Sequence, residues 1–70
     1  MTTGTVKFFN AERGFGFIIP DTGGPDVFVH IKSVVDEEVE SLSKGQRVKF
    51  EERPSAKVSG KLEAFDVVVL

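Results

Sequence analysis

Seven phenylalanines, one histidine and nine lysines and arginines carry what chemistry this chain can offer, since it has no tryptophan, tyrosine or cysteine. The single histidine, His30, has no nucleophile or metal-ligand motif around it and so gives no route to general-base or metal chemistry. Neither catalysis nor a metal or other cofactor is therefore expected, and without cysteine a thiolate site is excluded. The phenylalanines offer flat apolar surface. Four of them fall in Phe8-Phe9 and in Arg13-Gly14-Phe15-Gly16-Phe17-Ile18.

Side chains alternate faces along a strand. On one strand Arg13, Phe15 and Phe17 then project to one side, against Gly14, Gly16 and Ile18. On the next, Phe28 and His30 oppose Val27, Val29 and Ile31. The valine face is a conventional core face, which sends Phe28 and His30 outward, and pairing brings Phe15 and Phe17 beside them. Burying both faces would require a second layer that a chain of 70 residues cannot build. Phe50 and Phe65 are assigned to the core, where phenylalanine is usually found. An exposed cluster of rings is an aggregation liability without a use. Stacking of unpaired nucleobases is such a use, each stack contributing about 1 to 3 kcal/mol with little sequence preference. Duplexes are excluded, because their bases are already stacked. Lys7, Arg13 and Lys57 are the candidate phosphate contacts.

The elements that must hold these residues are short strands between turn signals. Thr5 to Asn10, Gly14 to Pro20, Asp26 to Ile31, Gln46 to Glu52 and Leu62 to Val69 are each rich in β-branched or aromatic residues. The run Asp21-Thr22-Gly23-Gly24-Pro25-Asp26 predicts a hairpin loop between the second and third strands. Ile31, Val34, Val35, Val39 and Leu42 recur at helical spacing, with Ser33 and Asp36 placed like a capping box. The valines are modest helix formers, so one helical turn near Ser33 to Asp36 followed by an acidic loop is preferred to a full helix. The fold class expected is all-β: a five-stranded barrel forming one domain over residues 1–70.

Net charge is -2, from nine basic against eleven acidic residues, so the field of the whole molecule does not attract polyanions. Any nucleic-acid function must rest on a local surface. The acidic run Asp36-Glu37-Glu38 with Glu40 is expected to lie away from it. The N-terminus lacks the cationic start and apolar run of a secretory signal. The apolar run Val67 to Leu70 is far shorter than the roughly 20 residues that span a bilayer. A cytoplasmic monomer with no membrane partner and no small-molecule substrate is expected.

With these residues in view, the chain resembles the bacterial cold-shock proteins over nearly its whole length. Arg13-Gly14-Phe15-Gly16-Phe17-Ile18 resembles the family's first ribonucleoprotein motif and Val27-Phe28-Val29-His30-Ile31 its second. Lys7-Phe8-Phe9-Asn10 resembles its opening signature, and Ser43-Lys44-Gly45-Gln46-Arg47-Val48-Lys49-Phe50 its turn into the fourth strand. The resemblance implies an antiparallel barrel of the oligonucleotide-binding (OB) class that binds single-stranded RNA and DNA, as an RNA chaperone or transcription antiterminator. The contact residues it implies are Lys7, Phe8, Arg13, Phe15, Phe17, Asp26, Phe28, His30 and Lys57. The family commonly has Trp where this chain has Phe8 and aromatics at Ile31 and Val39, so weaker stacking is expected here. Strict alternation from Val6 places Phe8 on the core side, and the resemblance therefore requires a bulge or strong twist nearby.

Three rival readings are weaker. An RNA-recognition motif needs two full helices and the opposite order of its aromatic strands. A small barrel that binds protein ligands would favour tryptophan and tyrosine, which are missing. An enzyme would have to be built on His30 alone.

Overall fold

Strands form at all five expected places, and the turn residues between them end each one. The computed structural model describes residues 1–36, 38–39, 41–56 and 59–70. β1 spans Thr2–Asn10, β2 Phe15–Pro20, β3 Val27–His30, β4 Arg47–Pro54 and β5 Leu62–Val69, with one 3-10 turn at Ile31–Ser33. Together they close into a barrel in the order β1-β2-β3-β5-β4. Neighbours run antiparallel except β3 and β5, which close the ring in parallel through Val27↔Leu62 and Phe28↔Glu63. β1 is the longest strand because it serves two partners: residues 2–5 pair with β4 and residues 4–10 with β2.

The interior is filled by Val6, Ile18, Val27, Val29, Val48, Phe50, Ala64 and Val67, none more than 1% exposed. Each buried valine, isoleucine or phenylalanine contributes about 1.5–3 kcal/mol. Hydrophobic packing is thus the main support of a chain without cross-links. Phe50 belongs to this interior, as expected; Phe65 does not.

The described residues between 31 and 42 form no α-helix. The single turn comes earlier than expected, at Ile31–Ser33, and its cap is His30 rather than Ser33, with Nδ1 accepting the Lys32 N–H at 3.1 Å. The chain then becomes extended. Val34 bridges Val67 in parallel, and the Val35 N–H donates to the Val67 carbonyl at 2.9 Å. β-branched residues in succession favour this extended course. The helical spacing instead marks where the segment leans on the barrel: Val34 and Leu42 are buried, Val39 and Ile31 pack partly against the core, and Val35 points to solvent.

Two places decide how β1 meets the rest. At Gly16 of β2, paired with Phe9, a Cβ would sit 2.2 Å from the Phe8 carbonyl oxygen and 2.8 Å from the Phe9 Cα. Only glycine permits that approach. At the far end of β2, the Arg47 guanidinium forks onto the Asp21 carboxylate, with Nη1 to Oδ1 at 2.7 Å. Thr3 Oγ1 donates to the same carboxylate at 2.7 Å, and Arg47 Nη1 also reaches Thr5 Oγ1 at 2.9 Å. The Arg47 hydrogen bonds first, and that of Thr3 second, hold Asp21 well below the usual aspartate range.

Gly16→Ala should lower the unfolding free energy by about 2–3 kcal/mol, because the backbone of β1 must give way. Urea denaturation with an unchanged midpoint would show that β1 and β2 separate here without cost. Because the folded-state pKa of Asp21 is depressed, its contribution is fully present above the unfolded-state value and is lost as pH falls below about 4. The stability difference between wild type and Asp21→Asn should accordingly be constant near neutrality and shrink on acidification. A difference independent of pH down to the acid transition would refute the assignment.

Candidate nucleic-acid interface

On the outside of β2 and β3 the alternation works as expected. Ile18, Val27 and Val29 point inward, and the opposite face aligns Phe17 with Phe28 and Phe15 with His30. Phe28 lies between two rings, 5.7 Å from Phe15 with planes 26° apart and 5.8 Å from Phe17 edge-on at 74°. Phe17 in turn lies 5.5 Å from Phe8. These centroid separations are those of favourable ring pairs. The four phenylalanines form one ladder, Phe8–Phe17–Phe28–Phe15, crossing three strands.

Phe8 joins it because the strand slips. The register between β1 and β2 shifts between Val6 and Phe8, so Lys7 is an extra residue on β1 and its neighbours Val6 and Phe8 take opposite faces. Val6 is 1% exposed and Phe8 43%. This is the bulge that the resemblance required.

One expectation is corrected. Phe28 faces away from the core, yet only 6% of it is exposed. The rings of Phe15 and Phe17 cover it from β2, and β5 lies on its other side with Glu63 opposite. The accessible rings are Phe8, Phe15 and Phe17, and Phe28 is the floor that sets their spacing.

The polar candidates divide. Lys7 and Asp26 are brought to each other, Nζ to Oδ2 at 2.9 Å, tying the β1 bulge to the start of β3. Arg13 is not in β2 but in the turn before it, where the Asn10 carboxamide oxygen accepts the N–H groups of Glu12 and Arg13 at 3.0 and 3.2 Å. Its side chain is exposed and in no ion pair among the described residues. His30 is half-buried beside Phe15; with Nδ1 accepting from Lys32, the neutral ring carries its proton on Nε2. Gly14, at φ 77°, places no side chain in the space beside that imidazole. Lys57, also a candidate phosphate contact, lies outside the described residues, as do Glu37 and Glu40 of the acidic run.

Phe65 is expected in the core, and the structure overturns this. Its ring is half-buried on the outer face, with the Arg53 guanidinium carbon 4.8 Å from its centroid. Counting back by twos from the inward Val67 puts Phe65 inside. Asp66 breaks the count: it sits at φ 51°, beside a register shift between β4 and β5, so Ala64 and Val67 both point inward and Phe65 outward. The available signal was the Asp itself, a residue tolerated in the left-handed region, between two strand formers.

Comparison with known proteins agrees with this geometry. The family model described as the 'Cold-shock' DNA-binding domain matches residues 2–70. The cold shock-like protein CspG of Shewanella violacea is 49% identical over 69 residues, covering 99% of this chain and 94% of that one. CspA of Vibrio cholerae is 60% identical over 48 residues, or 69% of each chain, and CspG of Escherichia coli 52% over a stretch of the same coverage. A closed five-stranded barrel of the OB class, an outer ladder of rings on β1 to β3 and likeness over almost every residue converge on one conclusion: this chain belongs to the cold-shock DNA-binding domain family.

Proposed function

We propose that this single domain binds unpaired RNA or DNA by laying successive bases on Phe8, Phe15 and Phe17, over the floor made by Phe28, and thereby acts as an RNA chaperone or transcription antiterminator. The observation that carries the reading is the ring ladder, a run of apolar faces across three strands of a barrel whose core is already full. A protein that holds bases by their faces competes with base pairing, and this is the action a chaperone of RNA structure needs. Arg13 and Lys57 supply phosphate contacts, the Lys7–Asp26 pair borders the track, and His30 contributes an Nε2–H donor at its end. The same surface has no task in bond-breaking, so the protein is a binder and not an enzyme, working as a monomer in the cytoplasm.

With a net charge of -2 and Lys7 already paired, charge is the lesser part of the affinity. Two or three phosphate contacts give a slope of log affinity against log salt of about -1.4 to -2.1. Fluorescence anisotropy with labelled thymidine and uridine oligomers measures it. A slope several times steeper would make this an electrostatic binder, and equal competition by duplex would remove stacking altogether.

Phe15→Ala and Phe17→Ala should each weaken binding by about 1–3 kcal/mol with the fold intact. Phe28→Ala should differ, losing about 3 kcal/mol of stability as well, because it removes a covered ring. Thermal melts beside the anisotropy separate the two effects. Phe15 and Phe17 variants that bind as wild type would overturn the site.

A further inference from the structure

We infer that the base track does not end at β3 but continues round the barrel into a cleft between the 3-10 turn and the β4–β5 hairpin, where Phe65, Arg53 and Lys32 take one further nucleotide of the same strand. The inference rests on the stacking function proposed above. The cleft has a volume of about 520 Å³, in the range of small-ligand sites, and Val35, exposed on its wall, adds apolar surface.

Its floor is built as a platform. The Arg53 guanidinium lies over the Phe65 ring, 4.8 Å from the centroid, and its Nε donates to Glu63 Oε2 at 3.3 Å. The ring and the carboxylate thus both hold the guanidinium in place. The Nη groups have no hydrogen-bond partner among the described residues. A guanidinium held in this way offers a plane on which a base stacks as on an aromatic ring, and its Nη edge suits phosphate or base carbonyl oxygens. Lys32, also lining the cleft, makes no ion pair among the described residues.

Position argues for a nucleotide rather than another guest. β5 runs parallel to β3 with Phe28 opposite Glu63, and Phe65 follows Glu63 on the outer face as His30 follows Phe28. The platform therefore lies on the strand next to β3, beyond the Phe28–Glu63 pair and on the side of the His30 end of the ladder. A strand leaving the Phe15–His30 end reaches it with its next nucleotide. Asp66, on the rim, opposes a phosphate there and limits the gain.

The test is a length series of labelled thymidine oligomers, from about four to about eight nucleotides, a range an OB barrel can cover. Wild type should gain affinity with length beyond the point at which Phe65→Ser and Arg53→Ala stop gaining. At the long end the variants should be about fivefold to tenfold weaker, the low end of one stacked base. On the shortest oligomer all three should bind alike, with melts confirming that the variants fold. Lys32→Ala should reduce the size of the salt slope by about 0.7 for the long oligomer and leave the short one unchanged. Asp66→Asn, which keeps a residue tolerant of the left-handed region, should tighten only the long one. Superimposable length profiles for wild type and variants, or equal losses at every length, would overturn the cleft. Failure of wild type to bind any length would instead overturn the stacking function itself.

Discussion

The close approach of β1 to β2 at Gly16 sets the shape of everything on the outer face. With the Phe8 carbonyl 2.2 Å from where a Cβ would stand, the two backbones meet at a distance open to glycine alone. The strand accommodates this by bulging at Lys7, and the bulge turns Phe8 outward while Phe9 packs against the core. One residue of slip thus adds a ring to the exposed surface and a ring to the packed one. Without it, Val6 and Phe8 would share a face, and the ladder would begin only at Phe17.

The same economy explains why rings can stand outside so small a domain. The interior holds mostly valines because a five-stranded barrel leaves little room, and Phe50 is the one ring among its buried residues. The outer rings reduce their own exposure by leaning on each other. Phe28 gives up nearly all contact with water, and Phe15 and Phe17 give up part. What reaches solvent is a set of faces and edges at fixed spacing. A mobile ring would lose rotamer freedom on binding, whereas these are already confined by their neighbours.

Much of the fold and of the site could be read from residue order because both follow period-two alternation. Val27, Val29 and Ile18 mark the inside, so Phe28, Phe15 and Phe17 had to lie on the other side, and the Asp21 to Asp26 run had to turn. What could not be read has one physical origin. Alternation is a local rule, and bulges, which answer to the closure of the whole barrel, reset its phase. At Lys7 only the family resemblance implies the reset; at Asp66 alternation gives no sign of it and assigns Phe65 to the core. The covering of Phe28 is likewise a matter of neighbours across strands, since pattern gives a face but not an exposure. The helical spacing of Ile31, Val34, Val39 and Leu42 needs no full helix, because a single 3-10 turn and the chain beyond it bring all four against the core.

Two bulges, on β1 and on β5, therefore act in the same sense at opposite edges of the β2–β3 ladder. Each moves a phenylalanine from the side that simple alternation assigns to the side facing solvent. A barrel must twist and bend to close, and bulges are where that bending concentrates. Placing an aromatic residue next to such a point converts a geometric necessity into outward aromatic surface, since the bend aims the ring away from the core. Phe8 and Phe65 are the two residues of this chain so placed. The first has its ring neighbour Phe17, and the second has Arg53 in the role a second ring would play. The reach of outward aromatic surface around the barrel is thereby set by where closure forces the strands to slip.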